Sequence, residues 1–215
     1  MRARIQLNGH SKSKYVLVDL GNNGVLNIGE SYLSSEPVNL KKKSISGNVS
    51  YSLSGTVDGE GKEKIYLFDS LIFKSANTGF CNIPVMTSPD GIDLLGLGFL
   101  KKFRTTLNWN NQTLTLEPYD ENPNFMWKTA GTFLKYDQET NKVIIKAVMD
   151  ETNASKAGIL TNSSVISVND FTFTDEQSYC DYLKTEMKLQ RDTVHLKLEQ
   201  EGSIKSYELL SEPVF

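Results

Sequence analysis

The 215-residue sequence predicts a mainly β chain in two modules, residues 1 to about 120 and residues 127 to 215. Three observations carry this reading. Up to Leu116, apolar residues come in short strand-length runs or alternate, with room for one short helix. Glu117 to Asn124 then places Pro118 and Pro123 among Asp120, Glu121 and Asn122, the composition of a linker. Beyond it strands resume around a single long helical stretch, so the second module reads as α+β.

In order along the first module, Ala3-Arg4-Ile5-Gln6-Leu7 alternates, Asn8-Gly9 signals a turn, and Tyr15-Val16-Leu17-Val18 is an apolar strand ending at Asp19. Ile65-Tyr66-Leu67-Phe68 and Ser70-Leu71-Ile72-Phe73 read as two further strands. Ser52 to Lys64, carrying Gly55, Gly59 and Gly61, suits a hairpin tip. Leu97 to Phe103 reads as one short helix. A hairpin follows, Thr105 to Trp109 and Thr113 to Leu116 around Asn110-Asn111. In the second module Val143-Ile144-Ile145 and Val165-Ile166-Ser167-Val168 are strands. Asp175 to Leu189 is the helix, with Thr174 and Gln177 as its capping box and Tyr179, Leu183 and Met187 on its apolar face. Val194 to Leu198 and Ser206 to Leu210 close the chain as alternating strands.

Composition narrows the function classes. A net charge of −3 and the lack of a basic stripe argue against nucleic-acid binding. Lys41-Lys42-Lys43 reads as a solvated turn. No apolar run reaches the ~18 residues of a membrane span. Cys81 and Cys180 fall in different modules and read as buried apolar side chains rather than a bridge. His10, placed in a polar loop, and His195, in an alternating strand, support neither a metal site nor a nucleophile–histidine pair. The glycines form no phosphate or dinucleotide pattern, and no cofactor is implied.

The residue type that points to chemistry is Asp19. An apolar strand that delivers Asp-x-Gly into a tight turn presents a carboxylate at its tip. Two such carboxylates face to face cannot both ionise, so one shared proton provides a base for water and an acid for the peptide carbonyl. The segment from Tyr15 to Leu26, with Asp19-Leu20-Gly21 at its centre, resembles the active site of retropepsin-like aspartic proteases. Leu94-Leu95-Gly96 followed by Leu97-Gly98-Phe99-Leu100 resembles that family's second signature, in which two apolar residues and a glycine cross behind the catalytic loop. Asn108-Trp109 with Thr113 to Pro118 resembles the closing strand pair. The resemblance spans roughly 110 residues. It implies a β-barrel lobe, Asp19 as the catalytic carboxylate, Leu20, Gly21, Leu94, Leu95 and Gly96 as the active-site loops, and a substrate flap around Ser54, Gly55, Gly59 and Gly61. The sequence departs at Leu20, where the family carries a Thr or Ser hydroxyl that ties the two active-site loops together. Asp93, near the second signature, reads as a turn residue.

One lobe carries one such Asp. The resemblance therefore implies a homodimer partner or a missing N-terminal lobe. The start at Arg2, with little sequence before Asp19, favours the second half of a two-lobed bacterial protease. The second module resembles a PDZ domain. Ala130-Gly131-Thr132-Phe133-Leu134 is similar to its peptide-gripping loop and strand, Ala154 to Ile159 to its small-residue helix and turn, and Val165 to Asp170 to the strand and turn after it. Asn162-Ser163 stands where Gly-Asp is usual, and Asn tolerates a left-handed turn. The resemblance implies peptide binding at Gly131, Thr132, Phe133, Leu134 and Gln177. Together the two halves imply an aspartic-type endopeptidase half whose PDZ module presents or regulates a protein or peptide substrate. They also imply an extracytoplasmic location, as in bacterial exported peptidases. The alternative is a catalytically silent peptide-binding scaffold.

Overall fold

The structure, a computed structural model, describes residues 1–33, 41–48, 60–74, 78–88, 92–185 and 191–215. It is mainly β. In the first module β1 (Arg2–Leu7) and β2 (Lys14–Asp19) form an antiparallel hairpin, and β3 (Leu26–Gly29) runs into the single-turn helix α1 (Glu30–Leu33). β4 (Lys42–Asn48), β5 (Glu60–Phe73) and β6 (Thr78–Ser88) are antiparallel neighbours. β7 (Leu94–Gly96) leads into α2 (Leu97–Leu100), then the separate hairpin of β8 (Phe103–Asn108) and β9 (Thr113–Pro118). The order β1-β2-β7-β3-β6-β5 closes because β5 also pairs with β1, Gln6 opposite Ile72. Six strands thus form a closed barrel.

The barrel follows from side-chain alternation. Ile5 and Leu7, Leu26 and Ile28, and Ile83 and Val85 alternate along their strands and are buried, together with Val16, Phe68, Leu71 and Leu95. Below them Phe80, Phe99, Phe103 and Phe125 pack ring on ring, Phe99 and Phe125 nearly parallel with centroids 4.9 Å apart. Phe125 therefore belongs to the lobe core, although it lies beyond the proline-rich segment.

The second module starts with β10 (Lys128–Thr129), β11 (Thr132–Asp137) and β12 (Lys142–Met149). Next come α3 (Asn153–Lys156), β13 (Ser164–Val168), β14 (Phe171–Thr172), α4 (Glu176–Lys184), β15 (Thr193–Gln200), β16 (Ser203–Leu210) and β17 (Glu212–Pro213). β11, β12, β13, β15 and β16 are consecutive sheet neighbours, and β17 returns to pair with β10. Val143, Ile145, Ala154, Val165, Val168, Leu196 and Leu198 form the core. Asn162 adopts φ 64°, the left-handed turn expected of it.

The two modules share backbone and core. β4 pairs antiparallel with the end of β12, Ser46 opposite Val148, so one sheet runs from the barrel into the second module. Ile45, Ile65, Ala147, Met149 and Val214 form a buried cluster across this junction, with Trp127 and Phe133 packed against it.

Several elements differ from the sequence expectation. Ile65–Phe68 and Ser70–Phe73 are one strand, because Asp69 does not end the pairing: it passes from Phe68–Ile83 to Ser70–Cys81 opposite Asn82 at φ 53°. Lys42 and Lys43 lie in β4, not in a turn, since Lys43 pairs with Ile65. The short helix ends at Leu100, and Phe103 starts β8. α4 begins one residue later than expected, capped by Asp175 with Ser178. The Asp175 carboxylate accepts from Ser178 N–H at 2.8 Å, while Gln177 faces solvent. Its packed side chains are Tyr179 and Tyr182, and Leu183 is exposed. Residues 186–190, which include Met187, lie outside the described residues. His10 lies in the loop between β1 and β2, but its ring is buried against the Tyr32 ring, centroids 4.7 Å apart. Cys81 is exposed and Cys180 partly so, and both are free thiols.

Candidate functional site

Asp19 ends β2. Tyr15, Leu17 and Asp19 alternate with the buried Val16 and Val18, so they share the outward face of the strand. The chain then folds back: Gly21 N–H donates to Asp19 Oδ1 at 2.8 Å, and Gly24 N–H donates to Asn22 Oδ1 at 2.6 Å. These two side-chain turns set the carboxylate at the tip of the strand.

The second segment threads behind this loop. β7 runs parallel to β2, Leu17 beside Leu94 and Asp19 beside Gly96, and antiparallel to β3. Three backbone bonds stitch it to the loop. Gly96 N–H donates to Val25 O at 3.1 Å, Leu97 N–H to Asn22 O at 2.6 Å and Gly98 N–H to Gly24 O at 2.9 Å. Gly96 is required by close approach: a Cβ there would stand 2.2 Å from Gly24 O and 2.7 Å from Asn22 O. The sequence pattern named Asp19, Gly21, Leu94, Leu95 and Gly96, and the structure brings them together. Leu95 is fully buried in the barrel, while the Leu20 side chain is 55% exposed.

Asn22 and Asn27 are site residues that the pattern did not single out. Asn27 is buried, and Asn22 Nδ2 donates to its Oδ1 at 3.3 Å. This pair braces the loop within its own lobe. Asn22-Asn23-Gly24 was a visible turn signal, but only the tertiary fold brings Asn27 beneath it. Asp93 is likewise more than a turn residue. Lys14 Nζ lies 2.8 Å from its Oδ2, and Gly29 N–H donates to its Oδ1 at 2.9 Å. It ties β2 to β3 just ahead of β7.

Tyr15, Leu20 and Trp109 are all more than half exposed. Met1, Arg2, Tyr15, Leu17, Trp109 and Gln112 line an open depression of about 520 Å³. Ser54, Gly55 and Gly59, three of the expected flap residues, lie outside the described residues. Gly61 lies within β5, opposite Gly47 of β4.

In the second module, Gly131 adopts φ 98°, and its backbone lies so close to Thr152 that a Cβ would collide with Oγ1. Its N–H donates to Thr129 Oγ1 at 3.0 Å. Thr132, Phe133 and Leu134 form the start of β11, with a register shift between Phe133 and Leu134. Phe133 packs into the junction cluster. Gln177 is exposed on α4 and donates to Asp181 Oδ1 at 2.9 Å. The side chain that does span from α4 to β11 is Tyr179, whose hydroxyl donates to Leu134 O at 3.0 Å. Its ring lies among Tyr136, Phe173 and Tyr182. Burial there, helped by Tyr182 and Cys180, pushes the Tyr179 hydroxyl up to about 12.

Among the described residues, no helix is long and apolar enough to cross a membrane, and no three potential ligands gather to hold a metal ion. The chain matches no protein-family model and no curated protein.

Proposed function

We propose that the chain is the carboxylate-bearing half of an aspartic-type endopeptidase of the retropepsin-like kind, joined to a PDZ-like module that binds an extended peptide. The observation that carries this is the threaded loop. A strand-end Asp19 accepts the Gly21 N–H, and the Leu94-Leu95-Gly96 strand runs parallel behind it. A carboxylate held this way, met by a second one, shares a single proton with it. The ionised partner takes a proton from water as the water attacks the peptide carbonyl, and the protonated partner hydrogen-bonds and neutralises the carbonyl oxygen. The second carboxylate comes from another copy or another lobe. Tyr15 and Leu17, on the same face of β2 as Asp19, and the exposed Leu20 next to it offer apolar side chains to such a partner. An extracytoplasmic setting belongs to this same reading.

The second reading is a catalytically silent peptide-binding scaffold. Leu20 favours it, because an exposed leucine has no hydroxyl with which to anchor an opposing loop. Casein cleavage at acidic pH by the full-length protein separates the two. The peptidase reading expects Asp19→Asn to abolish cleavage while the fold persists. Equal cleavage by the variant and the unaltered protein removes Asp19 from the chemistry.

A further inference from the structure

The edge of β11 beside α4 already has an occupant. β11 pairs with β12 on one side, and no described strand pairs with its other edge. The orientation of that edge follows from Ile145, which stands opposite Leu134. Ile145 N–H donates to Ser163 O, and Ile145 O accepts from Asn162 N–H, so both of its polar groups face the segment that leads into β13, away from β11. In an antiparallel ladder such a pair is non-hydrogen-bonded, and the polar groups of its partner face the opposite way. The Leu134 N–H and C=O therefore point to the open edge. This carbonyl is the acceptor that an added strand would use, because strand addition takes its affinity from main-chain hydrogen bonds along such an edge. The Tyr179 hydroxyl holds it, donating at 3.0 Å. The ring behind that hydroxyl is stacked against Tyr136 and set edge-on to Phe173, so it fills the space beside the strand as well as its acceptor.

We propose that Tyr179 is an internal stand-in for ligand, and that an extended peptide adds to β11 only after the Tyr179 hydroxyl has left the Leu134 carbonyl. This rests on the peptide-binding part of the proposed function. It adds a regulatory element that the peptide-gripping pattern did not contain. The contact holds a binding-competent edge in a minor state and lowers the apparent affinity by the fraction that is open. A net hydrogen bond of ordinary strength corresponds to a factor of roughly 2–10 in that fraction.

The test compares the unaltered chain with Tyr179→Phe, which keeps the ring and removes only the hydroxyl. The probe is an acetylated hexapeptide of alternating valine and threonine with a free carboxylate. In the peptide-free protein, the Leu134 carbonyl carbon resonance should move in the variant. An unmoved resonance overturns the contact itself. With peptide, the variant should bind roughly 2–10-fold more tightly, and amide shifts should centre on Thr132 to Lys135 in both proteins. Equal affinity with those shifts overturns the gating role and leaves peptide binding standing. Weaker binding by the variant also overturns it, because the hydroxyl would then be a ligand contact. No binding to either protein or to Tyr179→Ala at millimolar peptide overturns the gate together with the peptide-binding reading.

Discussion

Replacing Gly96 by alanine should disturb the Asp19 loop more than any neighbouring substitution of equal size. The added Cβ would meet Gly24 O at 2.2 Å, Asn22 O at 2.7 Å and Asn22 Oδ1 at 2.9 Å. Two of these atoms are backbone, so no side chain can rotate away. Relief requires β7 and the loop to separate by about 1 Å, against a tolerance of ~0.5 Å for a preorganised site. The separation also strains the three backbone bonds from Gly96, Leu97 and Gly98 to the loop. Overpacking of this kind costs roughly 1–3 kcal/mol, and weakened hydrogen bonds add to it. Urea unfolding followed by far-UV circular dichroism reads the stability, and amide spectra of Asp19 to Val25 read the loop. The control is Gly79→Ala, where the nearest atom to a Cβ is Ile72 Cγ1 at an ordinary 3.7 Å. If Gly96→Ala unfolds within about 0.5 kcal/mol of the unaltered chain, the range of an ordinary surface substitution, and the loop amides stay in place, the threaded-loop account is wrong.

Three further outcomes follow from the same geometry. Met149 is fully buried at the junction of the modules, so Met149→Ala should cost about 2–5 kcal/mol and loosen the β4–β12 pairing, measured by amide exchange at Ser46 and Val148. Leu20→Thr replaces an exposed side chain, so unfolding should shift by less than about 0.5 kcal/mol. If a missing hydroxyl weakens the site, casein cleavage by the full-length protein should rise. Tyr179 ionises near 12 rather than near 10 because its buried neutral form is favoured. Its contribution to stability is then complete below pH 10 and is lost as pH rises towards 12. Absorbance titration at 295 nm should show a late tyrosine step that disappears in Tyr179→Phe, and a tyrosine titration complete by pH 11 would refute this.

The sequence by itself determined those parts whose physics is local. Alternation marked Ala3 to Leu7 as a strand, the continuous apolar run Tyr15 to Val18 marked the next, and the Asp-x-Gly turn placed Asp19 at its tip. The proline-rich segment marked the approach to the second module. The doublet Leu94-Leu95 before Gly96 was picked out only through its resemblance to the second signature of retropepsin-like proteases, not by a local pattern. Other strands escaped notice because their periodicity is broken. β6 carries Asn82 before and Pro84 after its buried Ile83, and β4 is mostly lysine, serine and glycine. Such segments become strands only when neighbours supply the ladder. Tertiary structure alone decided the rest. Asn27 reached the Asp19 loop, His10 reached an aromatic slot, and β4 crossed to β12 through pairings of residues far apart in sequence. Tyr179 reads in the sequence as one apolar position on a helix. That its hydroxyl meets the edge carbonyl of Leu134 depends on where α4 lies over the sheet, a distance that no local pattern encodes.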